Sequence, residues 1–189
     1  MSLKPIKNTI LFKFIDHVNT KGEFERQRSA GGIFLQAGYD DSAKMPRWAT
    51  VVRVGPTCEF VTEGQDILIP ALRWTPVINH EGESFWKTDE KEVVATRTTG
   101  NSSFNSINDY VVFTERKSAA VRSVGVLAVV GGTNDTPSGA IVSAGSKCDP
   151  DLQKDVTLYY DKTNFYDTFD VGLTTYSFVK EEKIIAFSI

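Results

Sequence analysis

Along this chain apolar positions gather in short runs of Val, Ile, Phe, Tyr and Thr, and Gly, Pro, Asn or Asp interrupts them every ten residues or so. Such runs fit the pleated, half-buried surface of a sheet. The pattern predicts strands over residues 9–14, 49–54, 66–69, 92–96, 110–113, 140–144, 156–160, 176–179 and 183–187. No stretch of ten or more residues keeps a helical period. The fold class read from the pattern is all-β, an antiparallel barrel or sandwich.

The two halves resemble each other when overlaid. Ile6-Lys7-Asn8-Thr9-Ile10-Leu11-Phe12 parallels Ile107-Asn108-Asp109-Tyr110-Val111-Val112-Phe113, and Val52-Arg53-Val54-Gly55-Pro56-Thr57-Cys58 parallels Val142-Ser143-Ala144-Gly145-Ser146-Lys147-Cys148. Asp66-Ile67-Leu68-Ile69 is set against Asp155-Val156-Thr157-Leu158. Three matches in one order point to two units, residues 1–97 and 107–189, the second with a shorter connection after its first strand. Residues 98–106 open with the polar run Thr98-Thr99-Gly100-Asn101-Ser102-Ser103 and read as a linker. Gly55 and Gly145 each follow a strand, where a sharp turn at positive φ is expected.

Composition removes several classes of function. The formal net charge is −3 and the basic residues are scattered, so neither a nucleic-acid footprint nor a polybasic membrane patch is present. No apolar run is long enough to cross a bilayer as a helix, and Met1-Ser2-Leu3-Lys4-Pro5 lacks the apolar core of a signal peptide, so a cytoplasmic protein is expected. Cys58 and Cys148 are read as reduced thiols without a partner at metal-ligand spacing, and His17 and His80 as exposed loop histidines. Asp40-Asp41, Glu181-Glu182 and Asp149 with Asp151 read as solvated carboxylates, and Gly131-Gly132-Thr133-Asn134 as a turn. No catalytic residue, metal or cofactor is assigned.

Functional content concentrates in the long connection over residues 19–47. It opens on Lys21-Gly22-Glu23-Phe24-Glu25-Arg26-Gln27-Arg28 and closes on Asp40-Asp41-Ser42-Ala43-Lys44-Met45-Pro46. Ordering a backbone residue costs about 1–2 kcal/mol, and these flanks have little apolar surface to offset it. The middle, Ser29-Ala30-Gly31-Gly32-Ile33-Phe34-Leu35, places an apolar tripeptide after two glycines, a hydrophobic hook on a tether. From the residues alone the tripeptide reads as well as a short buried strand.

This motif resembles the mobile loop of GroES-like co-chaperonins, where paired glycines precede an apolar tripeptide. Lys4-Pro5-Ile6 with residues 9–14 resembles the family's first strand, and Thr50-Val51-Val52-Arg53-Val54-Gly55 the strand after the loop. Glu63-Gly64-Gln65-Asp66-Ile67-Leu68-Ile69 is similar to the following strand, and Glu90-Lys91-Glu92-Val93-Val94-Ala95 to the penultimate one. In the second unit Tyr176 through Phe187 resembles the last two strands, and Ser123-Val124-Gly125-Val126-Leu127-Ala128 is a weaker loop counterpart that keeps apolar Val126 and Leu127 without paired glycines. The resemblance implies two tandem small β-barrels, no enzyme activity, and self-association into a ring that caps an ATP-driven chaperonin. Gly31, Gly32, Ile33, Phe34 and Leu35 would make the contact. A different use of the same fold, as a decoration, connector or tail protein of a virus particle, would pack Ile33-Phe34-Leu35 against a neighbouring subunit. The dinucleotide fold and zinc ligands of alcohol dehydrogenases that share this domain are not present in the sequence.

Overall fold

The computed structural model describes residues 3–15, 45–116, 137–161 and 167–188, and is mostly β. The first half holds β1 (Thr9–Phe14), β2 (Arg47–Val54), β3 (Gln65–Ile69), β4 (Thr75–His80), β5 (Glu83–Asp89), β6 (Ala95–Thr98) and β7 (Asn105–Ser106). The second holds β8 (Tyr110–Glu115), β9 (Ser138–Ala144), β10 (Thr157–Tyr160), β11 (Thr168–Val171), β12 (Thr174–Lys180) and β13 (Ile184–Ser188). Two antiparallel sheets result, ordered β4-β5-β1-β2-β3-β6-β7 and β11-β12-β8-β9-β10-β13. Among the described residues no ladder joins the first strand of either order to its last.

With β7 set aside, the two orders coincide when β1 through β6 are placed on β8 through β13. Local features follow the same mapping. The first ladder of each half slips at one place, between Leu11 and Phe12 and between Val112 and Phe113. A 3-10 turn precedes the last strand of each, Glu90–Glu92 and Glu181–Lys183. Lys7 and Asn108 both have positive φ, 51° and 57°.

Among the described residues three apolar clusters hold these sheets together. Ile10, Phe12, Val51, Ile67, Ile69 and Val93 fill the first, joined by Ile107 from across the linker. Val111, Phe113, Ile141, Leu152, Leu158 and Val179 fill the second sheet's own core. The third lies between the halves: Leu68, Val94 and Ala95 of the first pack with Tyr110, Val112, Phe169 and Phe178 of the second. β8 is therefore covered on both faces, which explains its unbroken apolar run Tyr110-Val111-Val112-Phe113.

Several expectations need correction. Residues 90–92 form a 3-10 turn, and the strand anticipated over 92–96 lies at Ala95–Thr98. The linker 98–106 ends in β7, which pairs with β6 through Ala95 opposite Ser106, and its Phe104 packs into the cluster between the halves. Gly55 and Gly145 do not have positive φ. Their lack of Cβ is needed for close approach instead, because a Cβ at Gly55 would stand 2.0 Å from the Lys7 carbonyl oxygen and one at Gly145 2.3 Å from that of Asn108. The third sequence match slips by two: Ile67 faces Ala49 as Leu158 faces Gly139, so Asp66 corresponds to Thr157 and not Asp155.

Candidate partner-binding site

Gly31, Gly32, Ile33, Phe34 and Leu35, with Val126 and Leu127, lie outside the described residues, as do His17 and Gly131-Gly132. The structure describes the sheet positions at which their segments begin and end. Residues 16–44 connect β1 to β2, and residues 117–136 connect the corresponding β8 to β9. Each pair of strands is antiparallel and adjacent, so both connections start and finish at neighbouring points of a ladder.

An aromatic platform marks the base of the first connection. Phe14, opposite Ala49 in the ladder, meets Phe12, Trp74 and Trp86 edge-on with ring centroids 5.1 Å apart in each case. Edge-to-face pairs of this kind add about 0.5–1.5 kcal/mol each beyond area burial. Beyond Phe14 the Ile15 amide donates to the Trp48 carbonyl at 3.2 Å, which holds the strand pair to its last residue. The Ile15 and Met45 side chains are exposed there.

The second base is polar. Glu115 stands opposite Gly139 where Phe14 stands opposite Ala49, and Ser177 faces Phe113 where Trp86 faces Phe12. Glu115 Oε1 accepts from the Tyr160 hydroxyl at 3.1 Å and the Ser177 hydroxyl at 3.2 Å. Burial, reinforced by the Glu115 charge, raises the Tyr160 pKa, so the phenol keeps its proton and stays a donor. An apolar pair in one unit is thus replaced by a hydrogen-bonded pair in the other.

Other ionisable groups serve the scaffold. Buried Asp66 accepts from the Thr50 and Thr99 hydroxyls, 2.9 Å each, and from Arg97 Nε at 3.2 Å, while the Arg97 guanidinium lies 3.9 Å over the Trp48 ring. Buried Glu90 takes the backbone N–H groups of Glu59, Phe60 and Val61 at 2.8–3.0 Å. Burial, with the Glu90 charge second, raises the Cys58 pKa, and burial pushes Cys148 up to about 11, so both thiols are protonated at neutral pH. Among the described residues no group of three His, Cys, Asp or Glu is placed to hold a metal ion, and no helix is long and apolar enough to cross a membrane.

His80, expected in an exposed loop, is a half-buried residue of β4. Trp86 and Trp74, the latter just before β4, escaped the sequence reading because the β4–β5 hairpin was not recognised. Its signal was the pair Glu81-Gly82, both at positive φ as a two-residue hairpin turn requires. Comparison with known proteins finds no family model and no curated protein that matches the chain.

Proposed function

We propose that this protein is a co-chaperonin built from two GroES-like units, which caps an ATP-driven chaperonin ring through Ile33, Phe34 and Leu35 and so assists protein folding. The observation that carries the reading is positional. The segment with Gly31-Gly32 and the apolar tripeptide joins the first two strands of one sheet, and the segment with Val126 and Leu127 joins the corresponding strands of a second sheet with the same order. A duplicated unit with a recognition segment at one fixed place accounts for both. The aromatic platform favours the first segment as the principal contact, since it anchors the tether without a charge to desolvate.

The energetics suit a reversible lid. Burying three large apolar side chains gains at most about 1.5–3 kcal/mol each, and ordering the tether consumes much of that. One hook binds weakly; several in a ring bind tightly through effective concentration, and small changes per contact release the whole. In this scheme the partner hydrolyses the nucleotide.

A pull-down with a chaperonin double ring, with and without ATP, tests the reading when particles are inspected by electron microscopy. ATP-dependent caps that vanish when Ile33, Phe34 and Leu35 are all replaced by Ser, with the circular dichroism spectrum preserved, are the expected result. Absence of binding in every nucleotide state would reject it and leave the structural role in a particle.

A further inference from the structure

A left-handed backbone conformation is cheap for Gly, Asn and Asp and strained for a large apolar residue, whose Cβ crowds the following carbonyl. Among the described residues five non-glycine positions have positive φ: Lys7, Leu72, Glu81, Asn108 and Asp155. Four of them carry polar side chains, and Asn108 uses its amide to bond the carbonyls of Glu90 and Val93. Leu72 is the exception: at φ 61° it holds an apolar side chain that is 69 % exposed. So exposed a side chain returns little to the fold, while the backbone strain costs stability, which makes Leu72 a candidate for a contact outside the chain.

The turn that holds Leu72 is pinned on both sides. Pro70 is buried, and its carbonyl accepts from the Arg73 amide at 3.3 Å. The Arg73 carbonyl accepts from the Thr88 hydroxyl at 2.7 Å, and Arg73 Nε lies 3.6 Å from Glu92 Oε2. Trp74 then enters the aromatic platform, its ring 5.1 Å from that of Phe14. Relaxing φ at Leu72 would shift one of these neighbours, so the surroundings over-determine the strained conformation.

The place of this turn says what Leu72 is held for. On either side of it the chain reaches the two strand ends between which residues 16–44 run. Before it, Ile69 faces Arg47, the first residue of β2; after it, Trp74 packs on Phe14, the last residue of β1. Ile15 and Met45, which border that connection, are 49 % and 43 % exposed. Three uncovered apolar side chains therefore belong to the elements that meet at the base of the first connection. The base of the second connection is built instead on Glu115, Tyr160 and Ser177.

We infer that Leu72, flanked by Ile15 and Met45, is a second and fixed contact for the partner of the first connection, seated in an apolar depression of the chaperonin surface next to the one that takes Ile33-Phe34-Leu35. The occupant is the chaperonin because the end of the sheet from which the first connection leaves is the end that faces whatever this connection engages. The inference rests on the capping function proposed above and adds a contact whose position is set by the folded sheet. A side chain held in place beforehand loses little freedom on docking, so Leu72 also fixes the angle at which the chain sits on its partner.

Leu72→Asn tests it, because Asn adopts positive φ readily while the apolar side chain is removed. The melting temperature should stay level or rise by about 2–4 °C. The chain concentration giving half-maximal ATP-dependent capping of a chaperonin double ring should increase about tenfold or more, since the loss at each contact is multiplied over the ring. Leu173→Asn is the control: Leu173 is fully exposed at the turn between β11 and β12, and its replacement should leave capping unchanged. Wild-type capping by Leu72→Asn, an equal loss in Leu173→Asn, or a lowered melting temperature for Leu72→Asn would overturn the inference alone. Failure of the wild type to cap in every nucleotide state would overturn the capping function and this contact with it.

Discussion

Glu90 and Glu181 show how far equivalent residues diverge in energetic weight. Glu90 is buried and satisfies three backbone donors, while Glu181 accepts one, from Asp149 at 2.7 Å, in an exposed setting. An unsatisfied buried donor costs about 1–3 kcal/mol. Glu90→Ala should therefore lower unfolding free energy by about 3 kcal/mol or more, and Glu181→Ala by less than about 1 kcal/mol. Urea titration of the two variants checks the contrast; equal losses would refute it. Cys148 carries a pH signature: its thiol ionises near 9.0 when unfolded and only at about 11 when folded. The unfolded chain releases that proton first, so stability contributed by the neutral thiol falls between pH 9 and 11. Melting temperatures of wild type and Cys148→Ala across that range should converge as pH rises. Neither role was visible in the sequence, where Glu90 looks like one charge among Glu90-Lys91-Glu92 and Cys148 reads only as a reduced thiol matched to Cys58.

At the scale of elements, the central strands were legible and the hairpins were not. β1 and β8 announce themselves because Ile10-Leu11-Phe12 and Tyr110-Val111-Val112-Phe113 are buried on both faces. β4, β5 and β11 carry Thr, Asn, Glu, Ser and Asp on open faces and lose the alternation that marks a strand. Their signals lay in the turns, Glu81-Gly82 and Gly172-Leu173, the latter with Gly172 at φ 64° as the first residue of a two-residue turn. The misplaced match of Asp66 with Asp155 has a related cause. A slip of two residues keeps every side chain on its face, so periodicity alone cannot detect it, whereas pairing with Ala49 and Gly139 does. Of the candidate site, the strand ends were readable, and the platform of Phe14, Trp74 and Trp86 was not, because it joins residues distant in sequence.

The molecule as a whole is unified by the cluster between its halves. Trp48 and Phe104 pack there with Phe169, at 6.0 Å and 5.5 Å between ring centroids, and the Asn108 amide donates to the carbonyls of Glu90 and Val93. Two sheets sharing a buried seam should unfold together. Calorimetry of the wild type is expected to give one transition, and Phe104→Ala, which removes the linker's one large apolar anchor, should cost about 2–4 kcal/mol and resolve two. Two transitions in the wild type would show that the seam is dispensable. The same seam bears on dilution. A multimer of single units must form every contact by collision, and its survival falls steeply as molecules become scarce. Here the junction between the two units is made as the polypeptide folds, whatever the number of molecules present. The two halves therefore stay joined at any dilution, as two separate single units would not.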